Sequence, residues 1–452
     1  MTTPPSAVTL AEASRFWFQL GWVSFGGPAG QISLLHRELV DQRRWLSERR
    51  YLHALNYCML LPGPEAMQLA TYLGWLLHGV RGGLIAGGLF VLPSVLVLTA
   101  LSTAYALWGQ VPLLASVFAV LKPAVLALVL AAAWRLGRRV LRTPLQLLLA
   151  LKAFRALALL HLPYPAVVAG AALVGWGAGR WRPAWLALPP RPQGPTTPAA
   201  EGQADPVGVD VAEPLHGDHT PTPAHARFSR RRLALTLLLW ALALLLPLGA
   251  LVAWGGWDGP LALMARFFTR VALLSFGGAY AVLPYVAQGA VEQFGWLSAG
   301  QMLDGLALGE TTPGPLIMVV AFVGFMGGWQ SDLLGGPGSW WAAVAATLVT
   351  VWFTFLPSFG FILAGGPLVE RSRNDLRIGA PLAAITAALV GVIASLAMVF
   401  AGPVLLSGGR LQPLPLAVLL AALVALLRWR WGVLPLIGAA VLLGVVRQLL
   451  GW

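Results

Sequence analysis

The sequence predicts an all-α polytopic membrane protein made of two inverted homologous repeats with broken or re-entrant helices. Three observations lead there. The chain is 58% hydrophobic and only 10% charged, against about a quarter charged in an ordinary soluble domain. Apolar runs at 83–106, 112–133, 233–254, 340–363 and 381–401 reach or approach the roughly 20 residues a helix needs to cross a bilayer. The third is an internal duplication. Phe25-Gly26-Gly27 returns as Phe276-Gly277-Gly278 and Pro62-Gly63-Pro64 as Pro313-Gly314-Pro315, both at an offset of 251 residues.

In chain order, residues 1–14 lack a basic leader, so the opening is not read as a cleaved signal. Arg15 precedes the first Phe-Gly-Gly by about three helical turns, and its repeat equivalent is Arg266. The loop after that motif carries Arg37, Arg43, Arg44, Arg49 and Arg50. Trp45 and Ser47 within it match Trp296 and Ser298. Beyond Pro62-Gly63-Pro64 the offset becomes 264, pairing Leu92-Pro93-Ser94 with Leu356-Pro357-Ser358 and the small-apolar run at Ala127 with that at Gly391. Collinear matches with one change of length mark a duplication, with repeat one at 1–182 and repeat two at 233–452, led by an extra helix 233–254. Residues 183–232 between them break the pattern with PPRPQGPTTP at 189–198 and continue with dilute acids. Such a segment cannot bury a core and reads as a flexible cytoplasmic linker.

Charge gives orientation. Basic clusters stand at 37–50, 135–142, 180–182, 227–232, 371–377 and 428–430, whereas 289–300, the equivalent of the first basic loop, holds no Lys or Arg and one acid, Glu292. Under the positive-inside rule the equivalent loops 37–50 and 289–300 face opposite sides, which makes the repeats inverted. If the Phe-Gly-Gly and Pro-Gly-Pro segments are re-entrant, every basic cluster becomes cytoplasmic, and about 13 embedded segments result, about nine of them full crossings. The net charge of +13 therefore reflects membrane topology and does not call for nucleic acid. Of the 30 basic residues only Lys122 and Lys152 are lysines. The single Cys58 excludes an internal disulfide and a cysteine zinc cluster. His216, His219 and His225 lack the thiolates or second carboxylate cluster a metal would want, so no metal and no cofactor is expected.

The repeated breakers carry the chemistry. Glycine permits close backbone approach and proline removes a donor, so these motifs leave helix ends inside the membrane. A helix N-terminus offers free N–H groups and about half a positive charge, which suits an oxyanion. The substrate-binding set is Ser24, Gly26, Gly27, Gly63, Lys122, Arg270, Ser275, Gly277, Gly278 and Gly314, with the serines supplying hydroxyl donors. Helix packing by small residues is the competing reading. Four breakers in duplicated register favour a cavity.

Ionisable residues inside membrane segments are functional candidates. Glu65 follows Pro64, and Glu310 lies three residues before Pro313; each suits proton coupling or the capping of a half-helix. Glu310 is expected at the end of an incoming half-helix and as the proton carrier, Glu65 in the first turn of an outgoing one and structural. Arg15 and Arg266 read as anion-attracting groups at cavity mouths or as snorkelling side chains, and Arg270, closer to its motif, as an anion ligand. Lys122, whose equivalent is Thr386, needs water, an anion or a carboxylate if it lies within the membrane. No His-Glu-x-x-His, Gly-x-Ser-x-Gly or Walker pattern occurs, so the chain is not expected to be an enzyme.

The stretches SFGGPAGQISLLHRELV and LPGPEAMQLATYLGW resemble the first half of the chromate transporter family, and SFGGAYAVLPYV with LGETTPGPLIMVVAFVGF resembles its second half. The likeness covers both membrane halves and not the linker. It implies a long two-repeat member in the cytoplasmic membrane of a bacterium, exporting chromate with sulfate as analogue or competitor and conferring chromate resistance. The mechanism expected is alternating access at the repeat interface, coupled to protons through Glu310 or Glu65. Another small anion, a passive anion channel and a homodimer remain compatible with the same residues.

Overall fold

A computed structural model describes residues 8–186, 214–217, 220–221, 223–276, 278–371, 379–407 and 409–451. The first half runs α1 (Leu10–Val23), α2 (Gly27–His36), α3 (Glu48–Leu60), α4 (Glu65–Trp108), α5 (Pro112–Val140), α6 (Pro144–Ala158) and α7 (Tyr164–Trp181). After the linker and α8 (Arg230–Gly255), the second runs α9 (Pro260–Leu273), α10 (Ala279–Ala287), α11 (Ala299–Thr311), α12 (Val319–Gln330), α13 (Trp340–Arg371), α14 (Gly379–Leu405), α15 (Pro413–Leu427) and α16 (Val433–Leu449). A two-residue strand pair, Leu406–Ser407 with Arg410–Leu411, interrupts the helices.

The duplication reaches fine detail. Equivalent six-residue π-helical turns, Arg37–Gln42 and Gln288–Gln293, come after α2 and α10. Ser47 caps α3 by accepting from the Arg50 amide, and Ser298 caps α11 by accepting from that of Gln301. The breakers act as expected. Gly26, with φ of 91°, separates α1 from α2, and Gly278, with φ of 98°, opens α10. Gly63 and Gly314, with φ of 130° and 101°, separate α3 from α4 and α11 from α12. Helices α1, α2, α3, α10 and α11 have 9 to 14 residues each, so each spans at most about 21 Å and cannot cross a hydrocarbon core of about 30 Å alone.

Among the described residues, five helices are long and apolar enough to cross a membrane by length and composition: α4, α5, α8, α13 and α14; three more apolar segments, Leu316–Gln330, α15 and α16, are shorter. The 44-residue α4 is bent at His78 and Gly79, where φ is −133° and 64°, so it is two stacked limbs. The outside is greasy. No residue of α8 is buried, and exposed tryptophans sit near helix ends at Trp108, Trp181, Trp254, Trp257, Trp341 and Trp429, as in the aromatic belts of membrane proteins.

The halves interlock about a pseudo-two-fold relation. Helices α5 and α14 pack together; α15 and α16 lie on α5, while their counterparts α6 and α7 lie on α14. Reciprocal contact of equivalent surfaces is what two-fold symmetry demands. Close approach is built in: a Cβ at Gly391 of α14 would strike the Ala150 carbonyl of α6.

Within the segment expected as a linker over 183–232, several described residues contact the rest of the chain. Gln146 donates to the Leu186 carbonyl at 2.7 Å, His216 pairs with Leu46 as a short parallel bridge, the Arg50 guanidinium donates to the Thr220 carbonyl, and His225 Nε2 contacts the Trp75 carbonyl at 3.0 Å. Backbone groups near the bend of α4 and in the 44–47 loop take up His225 and His216, while side chains of Gln146 and Arg50 hold the other two points. Residues 187–213, Asp218 and His219 lie outside the described residues.

Candidate functional site

The two Pro-Gly-Pro turns cross the two Phe-Gly-Gly turns between halves. The Gly63 amide donates to the Ser275 carbonyl at 2.8 Å, and the Gly314 amide donates to the Ser24 carbonyl at 2.7 Å. Serines from the long helices complete the crossing. Ser94 donates to the Pro313 carbonyl, and its hydroxyl fills the space a Cβ on Gly314 would need; the Ser358 hydroxyl occupies the corresponding space beside Gly63. Gln31 of α2 donates to the carbonyls of Ser24 at 3.2 Å and Gly314 at 2.5 Å. Gln68 of α4 donates to the Pro62 carbonyl at 2.7 Å and to Ser358 Oγ at 3.3 Å. All this lies in a buried, apolar setting, where an unpaired amide or carbonyl is costly. The crossing therefore joins the halves at their most frequently broken backbone.

Gly63 and Gly314 thus have their amides engaged and their α-carbons walled in. Gly27 and Gly278 are different. A Cβ on either would meet nothing within 4 Å. Ser24 and Ser275 are buried, and neither hydroxyl has a hydrogen-bond partner among the described residues. Such orphaned donors in equivalent positions are uncommon in folded proteins and ask for an explanation.

A cavity of about 730 Å³, lined among others by Pro28, Glu65, Arg139, Gly278, Tyr280 and Thr386, lies beside the crossing. Its volume falls within the roughly 300–1,000 Å³ usual for small-ligand sites. Pro28 belongs to the first turn of α2 and Gly278 is the N-cap of α10, so both duplicated half-helices present their N-terminal ends to one space. Glu65 is the first residue of α4, where the helix dipole favours its carboxylate. Glu310 occupies the last turn of α11 and accepts a hydrogen bond from the Tyr280 hydroxyl, which joins it to the cavity wall. Arg139 and Arg142, both exposed, line the cavity at and just beyond the C-terminal end of α5.

The remaining expected residues lie elsewhere. Gly277 is outside the described residues. Arg15 is exposed on α1. Arg266 donates to the Trp257 carbonyl at 2.7 Å, lies 3.4 Å from Asp258, and stacks 4.2 Å above the Trp257 ring; its charge is held by the turn before α9. Arg270 is exposed and engages the Tyr285 hydroxyl. None of these three arginines lines the cavity. Lys122 faces a second, smaller cavity with Asp304.

Sequence reasoning missed Gln31, Gln68, Tyr280 and Arg139. The first two carry a readable signal, an amide side chain four or five residues beyond a breaker in an apolar run. Tyr280 and Arg139 carry none, because their relevance depends on which helices meet.

A family model described as "Chromate transporter" matches residues 11–176 and 261–445. The chain is 31% identical to a chromate transport protein of Pseudomonas aeruginosa over 86% of this chain and 80% of that one. It is 28% identical to a chromate transport protein of Cupriavidus metallidurans, covering 87% and 83%. With a probable chromate transport protein of Synechococcus elongatus the identity is 26%, covering 94% and 96%. No solved structure matches the chain.

Proposed function

The chain belongs to the chromate transporter family, and from that premise we propose that it exports chromate across the cytoplasmic membrane as a secondary transporter. The observation that carries the reading is the meeting of two equivalent half-helix N-termini, those of α2 and α10, at one cavity of about 730 Å³. Free amides and aligned peptide dipoles there suit a tetrahedral dianion. The unpartnered hydroxyls of Ser24 and Ser275 become donors to the anion when the crossing shifts. Sulfate presents the same acceptors and competes.

The repeats are inverted, as the contrast between the arginine-rich 37–50 loop and the arginine-free 289–300 loop requires. The large cavity then opens to the cytoplasm beside Arg139 and Arg142, which draw the anion in. Alternating access arises from the interlocked halves, whose equivalent elements exchange environments when one rocks against the other. An inside-negative potential assists export of a dianion by about 2.3 kcal/mol per charge per 100 mV, so no ATP is needed. The Tyr280–Glu310 pair at the cavity wall is the proton-linked element, and Glu65, at the start of α4, is structural. Export of this kind confers chromate resistance.

Labelled chromate uptake into inverted vesicles, with and without sulfate, tests the proposal. Saturable uptake that sulfate inhibits is the expected result. Uptake no greater than in vesicles lacking the protein contradicts it.

A further inference from the structure

Helix α5 touches two cavities, one at each end. Arg139 lines the large one; Lys122 lines a second cavity of about 410 Å³ together with Tyr105, Ser298, Gln301 and Asp304. Seventeen residues separate Arg139 from Lys122, a rise of about 25 Å along the helix. Between them the side chains of 124–129 are all buried, so the two spaces lie at opposite ends of a closed stretch.

The groups around Lys122 are unevenly satisfied. Its ammonium lies 3.4 Å from Asp304 Oδ2, and the Tyr105 hydroxyl donates to that same oxygen at 2.8 Å. Asp304 is only 3% exposed, yet Oδ1 has no hydrogen-bond partner among the described residues. A buried carboxylate with one crowded and one empty oxygen is a costly arrangement. Meanwhile the Lys122 side chain is 31% exposed, leaving the rest of its ammonium open to the cavity. Ser298 Oγ and Gln301 Oε1 serve as acceptors in the cap of α11, which leaves the hydroxyl hydrogen and the amide NH₂ as donors. The ammonium also lies 3.5 Å from where a Cβ of Gly300 would stand, at the N-terminus of α11. Ammonium, amide, hydroxyl and helix end form a donor set for an oxyanion.

Resting on the transport reading above, we infer that Lys122 is a second oxyanion station, at the mouth opposite the large cavity. Asp304 competes with the anion for the ammonium. An anion passing through the closed stretch meets a cation already shared with a resident carboxylate, so it is held weakly and leaves readily. The station belongs to one mouth only: the repeat equivalents of Lys122 and Asp304 are Thr386 and His53, which cannot form such a pair. The cavity adjoins the start of α11, just after the 289–300 loop, and therefore opens on the face away from the basic loops.

The composition of the chain makes a direct test practical. Lys122 and Lys152 are the only lysines, and a Lys152→Arg background leaves Lys122 as the sole side-chain amine. A membrane-impermeant acylating reagent is added to right-side-out vesicles, and modification of Lys122 is tracked by mass spectrometry with increasing sulfate or chromate. Either oxyanion is expected to slow acylation. In Asp304→Asn the protecting concentration is expected to fall about tenfold, because the competing charge is gone. Acylation that neither oxyanion slows, or protection unmoved in a well-expressed Asp304→Asn protein, overturns the inference. This readout does not depend on turnover: absence of chromate flux in the wild type refutes the transport reading, while Lys122 protection still decides the station.

Discussion

Gly314 and Ser94 belong to different halves, and the crossing makes a quantitative claim about them. A side chain at Gly314 meets two penalties. Its φ of 101° costs a non-glycine residue about 1–3 kcal/mol, and its Cβ would overlap the Ser94 hydroxyl, an overpacking cost of about 1–3 kcal/mol. Gly314→Ala should therefore destabilise by about 2–6 kcal/mol. Ser94→Ala removes the obstructing oxygen and the hydrogen bond to the Pro313 carbonyl, at a cost of about 0.5–1.5 kcal/mol. The double variant should then be more stable than the sum of the singles allows, with a coupling of about 1–3 kcal/mol. Thermal unfolding of the four detergent-purified proteins at one heating rate measures this. The Gly63→Ala and Ser358→Ala pair should behave alike, because the contact is repeated. Strict additivity in both cycles would refute the interlocked crossing on which the site is built.

Gly27→Leu and Gly278→Leu, each costing about 1–3 kcal/mol through positive φ but meeting no neighbouring atom, should abolish chromate transport while membrane insertion persists; normal flux in either inserted variant would return that motif to a packing role. Glu310→Gln should remove the pH dependence of transport while anion exchange continues, whereas Glu65→Gln should chiefly lower the folded yield. Loss of pH dependence only in Glu65→Gln would reverse those roles. Single cysteines placed in the 37–50 and 289–300 loops of a Cys58→Ser protein should be labelled by an impermeant thiol reagent from opposite sides of the membrane. Labelling of both from one side would remove the inverted arrangement.

The duplicated breakers were legible because glycine and proline act locally: Gly26, Gly63, Gly278 and Gly314 each have positive φ and stand at helix ends. The lengths of α5, α8, α13 and α14 are set by apolar runs for the same reason. The pairing of elements was not legible. Gly63 and Gly314 looked equivalent to Gly27 and Gly278 as anion ligands, but only the fold shows that their amides meet Ser275 and Ser24. Arg266 looked like the partner of Arg15, yet Trp257 and Asp258, present before α9 and without counterpart before α1, draw it away. Lys122 carried a question about a countercharge, and its answer, Asp304, lies 182 residues downstream in the other half. The bend at Gly79 falls at the His78-Gly79-Val80-Arg81 interruption just before the apolar run at 83–106, yet the helix resumes beyond it, so the two limbs form one element.

Alternating access between the two cavities is the central claim, and paired accessibility tests it most directly. Thr386→Cys reports on the large cavity and Gln301→Cys on the small one, each in a Cys58→Ser protein. Thiol labelling rates are measured in unsealed membranes with and without saturating chromate. A transporter whose halves rock about one site should show the two rates moving in opposite directions when chromate is added. Both rates rising together would mean a continuous anion pathway, and the account of alternating access would be wrong.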